Sequence, residues 1–154
     1  MSDEGVHLST QPFTLCNEEK YDDISNAKLE VVCEGTANMY QMVKDFPDLV
    51  VTFGTDMFFE LDPSDQVQQL DRLSQWFEPV EILKMATGNA RSLLAMSGDK
   101  NPYPDGPIGV IEEGAYADLL IVEGNPLEGV AILGDPENLK LIMKDGVVYK
   151  STLD

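Results

Sequence analysis

The stretch VVTFGTD places an acidic side chain directly after an apolar run. Residues 49 to 54 are predominantly apolar on successive positions instead of alternating, which predicts a strand buried on both faces, as in a parallel sheet covered by helices. Asp56 then lies just past the carboxyl end of that strand, where α/β folds place their chemistry. A carboxylate there can bind a metal and act as a general base on metal-bound water. An ordinary turn is the alternative, because Gly and Asp are common turn residues.

Two other side chains are candidates for substrate contact near this strand end. Gln11 follows the first predicted strand at its carboxyl end, and Phe58 follows Asp56 closely in the sequence. A plain loop glutamine and a phenylalanine packed beneath the following loop are the alternatives. His7 is the only histidine. Because it lies in a short alternating run, we interpret it as a strand residue and not as a metal ligand.

The two cysteines do not have the spacing of a zinc site. Cys16 and Cys33 form no C-x-x-C pair, and no histidine lies near either of them in the sequence. Zinc sites usually combine closely spaced cysteines and histidines, so a zinc site built on this pair is improbable. Without an export signal, we expect both thiols to be reduced and buried.

The elements that must position these side chains follow from hydrophobic periodicity. Residues 6 to 10, VHLST, alternate between apolar and polar, as a short strand does. After Ser25, apolar residues recur at three- and four-residue steps as far as Val43, which predicts a helix that Pro47 ends. Together with the apolar run that follows, residues 6 to 54 therefore read as one β-α-β unit.

Downstream, the pattern changes from helical to β-rich near residue 98. A second amphipathic helix is predicted to end in the core residues Trp76 and Phe77, and Pro79 suits the first turn of a third. Residues 97 to 107 contain three prolines and two glycines, which is typical of a loop. Short apolar runs follow, and Asp145-Gly146 between two of them predicts a tight hairpin. Asp118 lies inside one of these apolar runs. The predicted division is 1–97 and 98–154.

Composition restricts the class of partner. The chain has 154 residues, with 28 acidic and 10 basic side chains and a formal net charge of −18. Such a charge repels phosphate backbones, which argues against nucleic-acid binding. No apolar stretch approaches the roughly 20 residues that span a bilayer. The acidic N-terminus lacks the order of a signal peptide, so we expect no membrane partner and a cytoplasmic location.

Three segments resemble the amidohydrolase superfamily of metal-dependent hydrolases, with its imidazolonepropionase-like and prolidase-like members nearest. FGTD at 53–56 resembles the end of the family's eighth barrel strand, and EILKMATGNARSLLAM at 81–96 resembles the helices after it. Residues 108–128 and 142–150 resemble the closing strands of the family's small β-sandwich. This resemblance implies that Asp118 is a turn or hydrogen-bonding residue at a strand start and not a catalytic residue. The resemblance implies an α/β fold, namely the C-terminal portion of a TIM-type (β/α)8 barrel (strands seven and eight with their helices) and the C-terminal strands of the sandwich.

The resemblance also implies a role for Asp56, as a metal ligand that takes a proton from the attacking water. The implied cofactor is a divalent metal, with zinc expected. The sequence departs from the family pattern because it has no His-x-His pair, so every other ligand would lie upstream of Met1. The metal site of this chain is therefore expected to be incomplete.

The leading hypothesis is a C-terminal fragment of an amidohydrolase whose parent hydrolyses C–N bonds in an amide, cyclic amide or dipeptide-like small molecule. The fragment alone is expected to be inactive. A non-catalytic interaction module and a subunit that completes another chain's barrel are the alternatives. The expected partner is either the missing N-terminal barrel region or a complementary subunit. Without that partner, the chain should expose sheet edges and apolar surface and should self-associate.

Overall fold

A computed structural model describes residues 5–12, 22–55 and 65–153 of the chain. In chain order, the strands and α-helices are β1 (Leu8–Thr10), α1 (Asp23–Val43), β2 (Val51–Phe53), α2 (Asp65–Arg72), α3 (Pro79–Ala86), α4 (Gly88–Ala95), β3 (Leu119–Val122), β4 (Leu139–Lys144) and β5 (Val147–Ser151). Short 3-10 turns lie at Leu73–Gln75, Gly98–Lys100, Val130–Gly134 and Pro136–Asn138. The predicted mixture of helices and strands is confirmed.

The first half contains the predicted β-α-β unit. β1 and β2 pair in parallel, with Thr10 in register with Phe53, and the Leu8 amide donates to the Val50 carbonyl at 2.9 Å. Val51 is buried, as the unalternating apolar run predicts. Because the strands are parallel, their carboxyl ends lie side by side at one edge of the sheet.

Helix α1 begins with an acidic cap. The Asp22 carboxylate accepts hydrogen bonds from the backbone amides of Ile24 and Ser25, each at 3.1 Å. These amides belong to the first turn, where no helical carbonyl is available to them. The hydrogen bond from the Ser25 hydroxyl is the main cause that lowers the pKa of Asp22. The helix therefore begins at Asp23, whereas the sequence pattern predicted a beginning after Ser25.

Aromatic side chains join α1 to the helices that follow β2. Tyr40 is fully buried, and its ring centroid lies 4.9 Å from that of Trp76 and 5.7 Å from that of Phe77. Both pairs meet edge to face, which is a favourable arrangement for aromatic rings. Phe77 is buried and Trp76 packs against the same cluster, so the prediction that both belong to the core is confirmed.

Helices α3 and α4 form the remaining cover of β2. Pro79 occupies the first turn of α3, as predicted, and the Glu81 carboxylate accepts from the Glu78 amide at 2.8 Å. The junction between the helices contacts the loop that leads to β3. Gly109 has a φ of 67°, and a Cβ there would lie 2.7 Å from the carbonyl carbon and oxygen of Thr87. This close approach is therefore open to glycine alone.

The second half forms a separate three-stranded antiparallel sheet in the order β3-β4-β5. Its hairpin turns at Asp145 and Gly146, with φ angles of 51° and 75°, as a two-residue turn with two left-handed positions requires. The Asp118 carboxylate accepts from the Asp145 amide at 2.7 Å. The predicted hairpin and the hydrogen-bonding role of Asp118 are confirmed. Antiparallel structure begins at Leu119, whereas residues 108–118 contain no strand.

Two further observations bear on the predictions from sequence. Cys33 is disulfide-bonded and only partly buried, so the expectation of a reduced, buried thiol is wrong for this residue. The cellular compartment determines where disulfides persist. A disulfide also requires two cysteine Cα atoms roughly 4.4–6.8 Å apart, and the sequence does not show which cysteines the fold brings that close. Among the residues that the structure describes, no helix is long and apolar enough to cross a bilayer.

Candidate active-site rim

The candidate site lies at the edge of the parallel sheet where β1 and β2 end. Gln11 follows β1, and Gly54 and Thr55 follow β2. We call these three residues the strand-end rim. Asp56 comes next in the sequence, but Asp56 and Phe58 lie outside the described residues. Of the predicted site residues, the structure therefore places Gln11 alone.

The backbone of Gln11 is held by a buried tyrosine. The Gln11 amide donates to the Tyr40 hydroxyl at 3.1 Å, while the Gln11 side chain is exposed. Burial is the main cause that raises the pKa of Tyr40, and the hydrogen bond from the Gln11 amide opposes it. The phenol therefore stays neutral at physiological pH. Tyr40 thus connects the aromatic core directly to the strand-end rim.

Sequence reasoning did not assign this role to Tyr40. Tyr40 belongs to the helical pattern that runs as far as Val43, but that pattern gave no partner for the hydroxyl group. A buried tyrosine usually finds a hydrogen-bond partner, and that rule was the available signal. Gln11 could not be identified as that partner without the packing of α1 on β1.

Gly54 fits closely against the end of β1. A Cβ on Gly54 would lie 2.6 Å from the Ser9 hydroxyl oxygen and 2.9 Å from the Thr10 carbonyl oxygen. The serine side chain can rotate away, but the backbone carbonyl cannot do so cheaply. The glycine of the FGTD segment is therefore required by close strand packing at the rim, and it fixes the chain two residues before Asp56.

At the opposite end of the strands, α4 holds the sheet through polar side chains. The Asn89 side-chain amide donates to the Val51 carbonyl at 2.8 Å. The Ser92 hydroxyl donates to the Asn89 carbonyl at 2.7 Å, and its oxygen lies 2.9 Å from His7 Nε2. Because the single hydroxyl proton is already used, we assign the His7 proton to Nε2. His7 therefore connects the segment just before β1 to α4. It lies one residue before β1, so the prediction that His7 belongs to the strand is wrong by one position.

The parts of the chain at 5–12, 22–55 and 65–153 gather no three His, Cys, Asp or Glu side chains that could hold a metal ion. These residues therefore do not fit a metal site by themselves. Comparison with known proteins bears on which family the chain belongs to.

The model of the amidohydrolase family matches residues 1–149. The chain belongs to the amidohydrolase family. It resembles the crystal structure of an amidohydrolase with 30% identity and a TM-score of 0.78, over 99% of this chain and 36% of that one. It also resembles ochratoxinase from A. niger, with 25% identity and a TM-score of 0.68, over 88% of this chain and 29% of that one.

A third crystal structure supports the fold alone. It is a prolidase complexed with N-methylphosphonate-L-proline, which shares 23% identity with this amidohydrolase chain at a TM-score of 0.78. The match covers 99% of this chain and 36% of that one. Among curated proteins, no significant match was found. This amidohydrolase chain thus spans about a third of the length of the solved structures that it resembles.

Proposed function

We propose that the chain is the C-terminal part of a metal-dependent amidohydrolase that hydrolyses a C–N bond in an amide, cyclic amide or dipeptide-like substrate. The observation that carries this proposal is the parallel β1-α1-β2 unit, whose carboxyl end leads through Gly54 towards Asp56 in a chain of this family. On this proposal, residues 1–97 supply strands seven and eight of a TIM-type (β/α)8 barrel. Residues 98–154 supply the C-terminal strands of a small β-sandwich.

The size of the sheets supports a missing complement. The parallel sheet has two strands in the described part of the chain, whereas sheets most often have about four to six strands. The antiparallel sheet leaves Leu120 and Val147 each 56% exposed. Large apolar surfaces of this kind mark sites of contact with another polypeptide. The proposed partner is an N-terminal barrel region of the same protein or a complementary subunit.

Within the complete protein, Asp56 is the proposed ligand of a divalent metal, with zinc as the proposed ion, and the general base. Gln11 and Phe58 are the proposed substrate contacts beside it. The Tyr40 hydrogen bond and the close fit of Gly54 support this location, because they fix the two strand ends from which these residues follow. A catalytic zinc usually has three protein ligands, so we assign no metal-dependent step to this chain by itself.

The exposed apolar surface of the antiparallel sheet also fits two alternatives. These are a barrel-completing subunit and a non-catalytic interaction module. The coding sequence upstream of Met1 distinguishes them. An in-frame His-x-His segment would support a fragment of a longer amidohydrolase. A start codon preceded by a gene for the other barrel strands would support a subunit, and neither feature would support an interaction module.

A direct functional test uses the chain joined to the remaining barrel. We expect the complete protein to hydrolyse amides and Asp56→Asn to reduce kcat by at least about a hundredfold, within the range of general-base contributions. Glu137→Gln serves as the matched control, because it also removes one carboxylate, in the turn before β4. Equal activity of both variants would contradict the assignment of Asp56.

A further inference from the structure

Helix α1 carries a second apolar surface in addition to its core face. Ile24 and Val31 are each 69% exposed, and Met42 is 60% exposed. At 3.6 residues per turn, Val31 lies about two turns and Met42 about five turns after Ile24, so the three side chains form one line along the helix. We call these three residues the outer stripe. Tyr40 projects from a different side of the helix, into the core.

Small residues and acids border the outer stripe. Ala27 and Gly35 are exposed between its members, and a Cβ on Gly35 would meet nothing within 4 Å. An open groove of about 760 Å³ runs along the first part of the stripe, lined by Asp23, Ile24, Ala27, Lys28, Val31 and Val32. The helical positions of Asp23, Glu30 and Glu34 place three exposed carboxylates in a row along one side of it.

We propose that the outer stripe binds a cationic amphipathic helix of a partner protein. Apolar side chains repeated along one line and separated by small residues fit the apolar face of a helix. The row of carboxylates gives the groove one negative border, which fits lysines or arginines beside the partner's apolar face. The stripe lies on the side of α1 away from the core and the strand-end rim, so the inference does not use the proposed site residues. Covering of the stripe by the N-terminal barrel region proposed above would overturn it.

Charge decides between this partner and a second copy of the chain. A second copy would bring another formal net charge of −18 and its own acidic row. Like charges at an interface cost free energy, and they also slow the approach of two acidic molecules. A cationic helix instead gains from both features, so its binding should weaken as salt is added.

The test measures binding of synthetic helical peptides to the full 154-residue chain. One peptide carries leucine on one face and lysine on the other, and a matched peptide carries glutamine in place of lysine. We expect the lysine peptide to bind about tenfold or more tightly than the glutamine peptide, with the difference shrinking at high salt. We expect Val31→Gln to weaken binding about tenfold, by removing a buried apolar contact, and Glu34→Gln to weaken it by about twofold.

Val80→Gln is the matched control, because Val80 is also an exposed valine on a helix (45% exposed) but lies on α3 and not on α1. It should leave binding unchanged, and circular dichroism should show that both valine variants keep their helical content. Equal losses in the two variants, or equal binding of both peptides, would overturn the proposal. So would sedimentation showing a dimer of the unmodified chain that Val31→Gln abolishes, since the stripe would then belong to a second copy.

Discussion

Replacing Tyr40 by phenylalanine separates the packing of its ring from the hydrogen bond that holds the strand-end rim. The ring is fully buried and keeps its contacts, whereas the Gln11 amide loses the acceptor that lies 3.1 Å away. A hydrogen bond of this kind contributes about 0.5–1.5 kcal/mol. Because Gln11 is exposed, water can replace the hydroxyl, so we expect a loss of about 1 kcal/mol in the free energy of unfolding. Tyr40→Ala should cost about 3–5 kcal/mol, because it also removes the ring.

Urea unfolding and amide hydrogen exchange measure this difference. Tyr40→Phe should lower the melting temperature by about 2–4 °C and speed exchange at Gln11. The control is Tyr149→Phe, at a side chain that is 72% exposed, which should change stability by less than about 0.5 kcal/mol. Unchanged exchange at Gln11, or a loss as large as that of Tyr40→Ala, would refute the assignment.

The raised pKa of Tyr40 adds a dependence on pH. The neutral phenol is favoured in the folded state, so its contribution is fully present below the unfolded pKa of about 10 and is lost as the pH rises through the folded pKa. Tyr40→Phe should abolish this alkaline component.

Three other predictions test the helix caps, the strand packing and the exposed surfaces. Gly54→Ala should destabilise the chain by about 1–3 kcal/mol in urea unfolding, because its Cβ would collide with the Thr10 carbonyl. The control is Gly35→Ala, in open space on α1, which should stabilise the chain by about 0.5–1 kcal/mol. Equal effects of the two substitutions would contradict the close fit of Gly54. Asp22→Ala should lower the helical circular dichroism signal. Since the pKa of Asp22 is lowered in the folded state, the cap should be complete above about pH 4 and lost as the pH falls through the folded pKa. A helical signal that does not change with pH in the acid range would count against this cap. The isolated chain should self-associate at modest concentration through its exposed sheet edges and apolar sheet surface, and not through the outer stripe. A compact, stable monomer in sedimentation would refute this.

The sequence was most informative where one periodic pattern covered a whole element. The unalternating run at 49–54 predicted the buried parallel strand, and Asp145-Gly146 predicted the hairpin, because each pattern has one dominant physical cause. The first residue of α1 was harder to predict from the sequence, because Asp22 and Ser25 are both good capping residues. The observed hydrogen bonds to Asp22 decide between them.

The contacts at the strand-end rim could not be predicted, because they join distant parts of the chain. The hydroxyl of Tyr40 reaches Gln11 only after α1 has packed on β1. Gly54 looked like a turn residue, and its close approach to Thr10 depends on the parallel register. The disulfide at Cys33 likewise depends on geometry that residue spacing does not contain.

Metal analysis of the purified 154-residue chain, paired with an assay on Xaa-Pro dipeptides and cyclic amides, tests the central claim most directly. The claim is that Asp56 belongs to a site whose other ligands come from the rest of an amidohydrolase. After dialysis, we therefore expect the chain alone to hold no stoichiometric zinc and to hydrolyse neither class of substrate, since one carboxylate does not make a zinc site. One tightly held zinc per chain, or turnover that Asp56→Asn abolishes, would contradict the account.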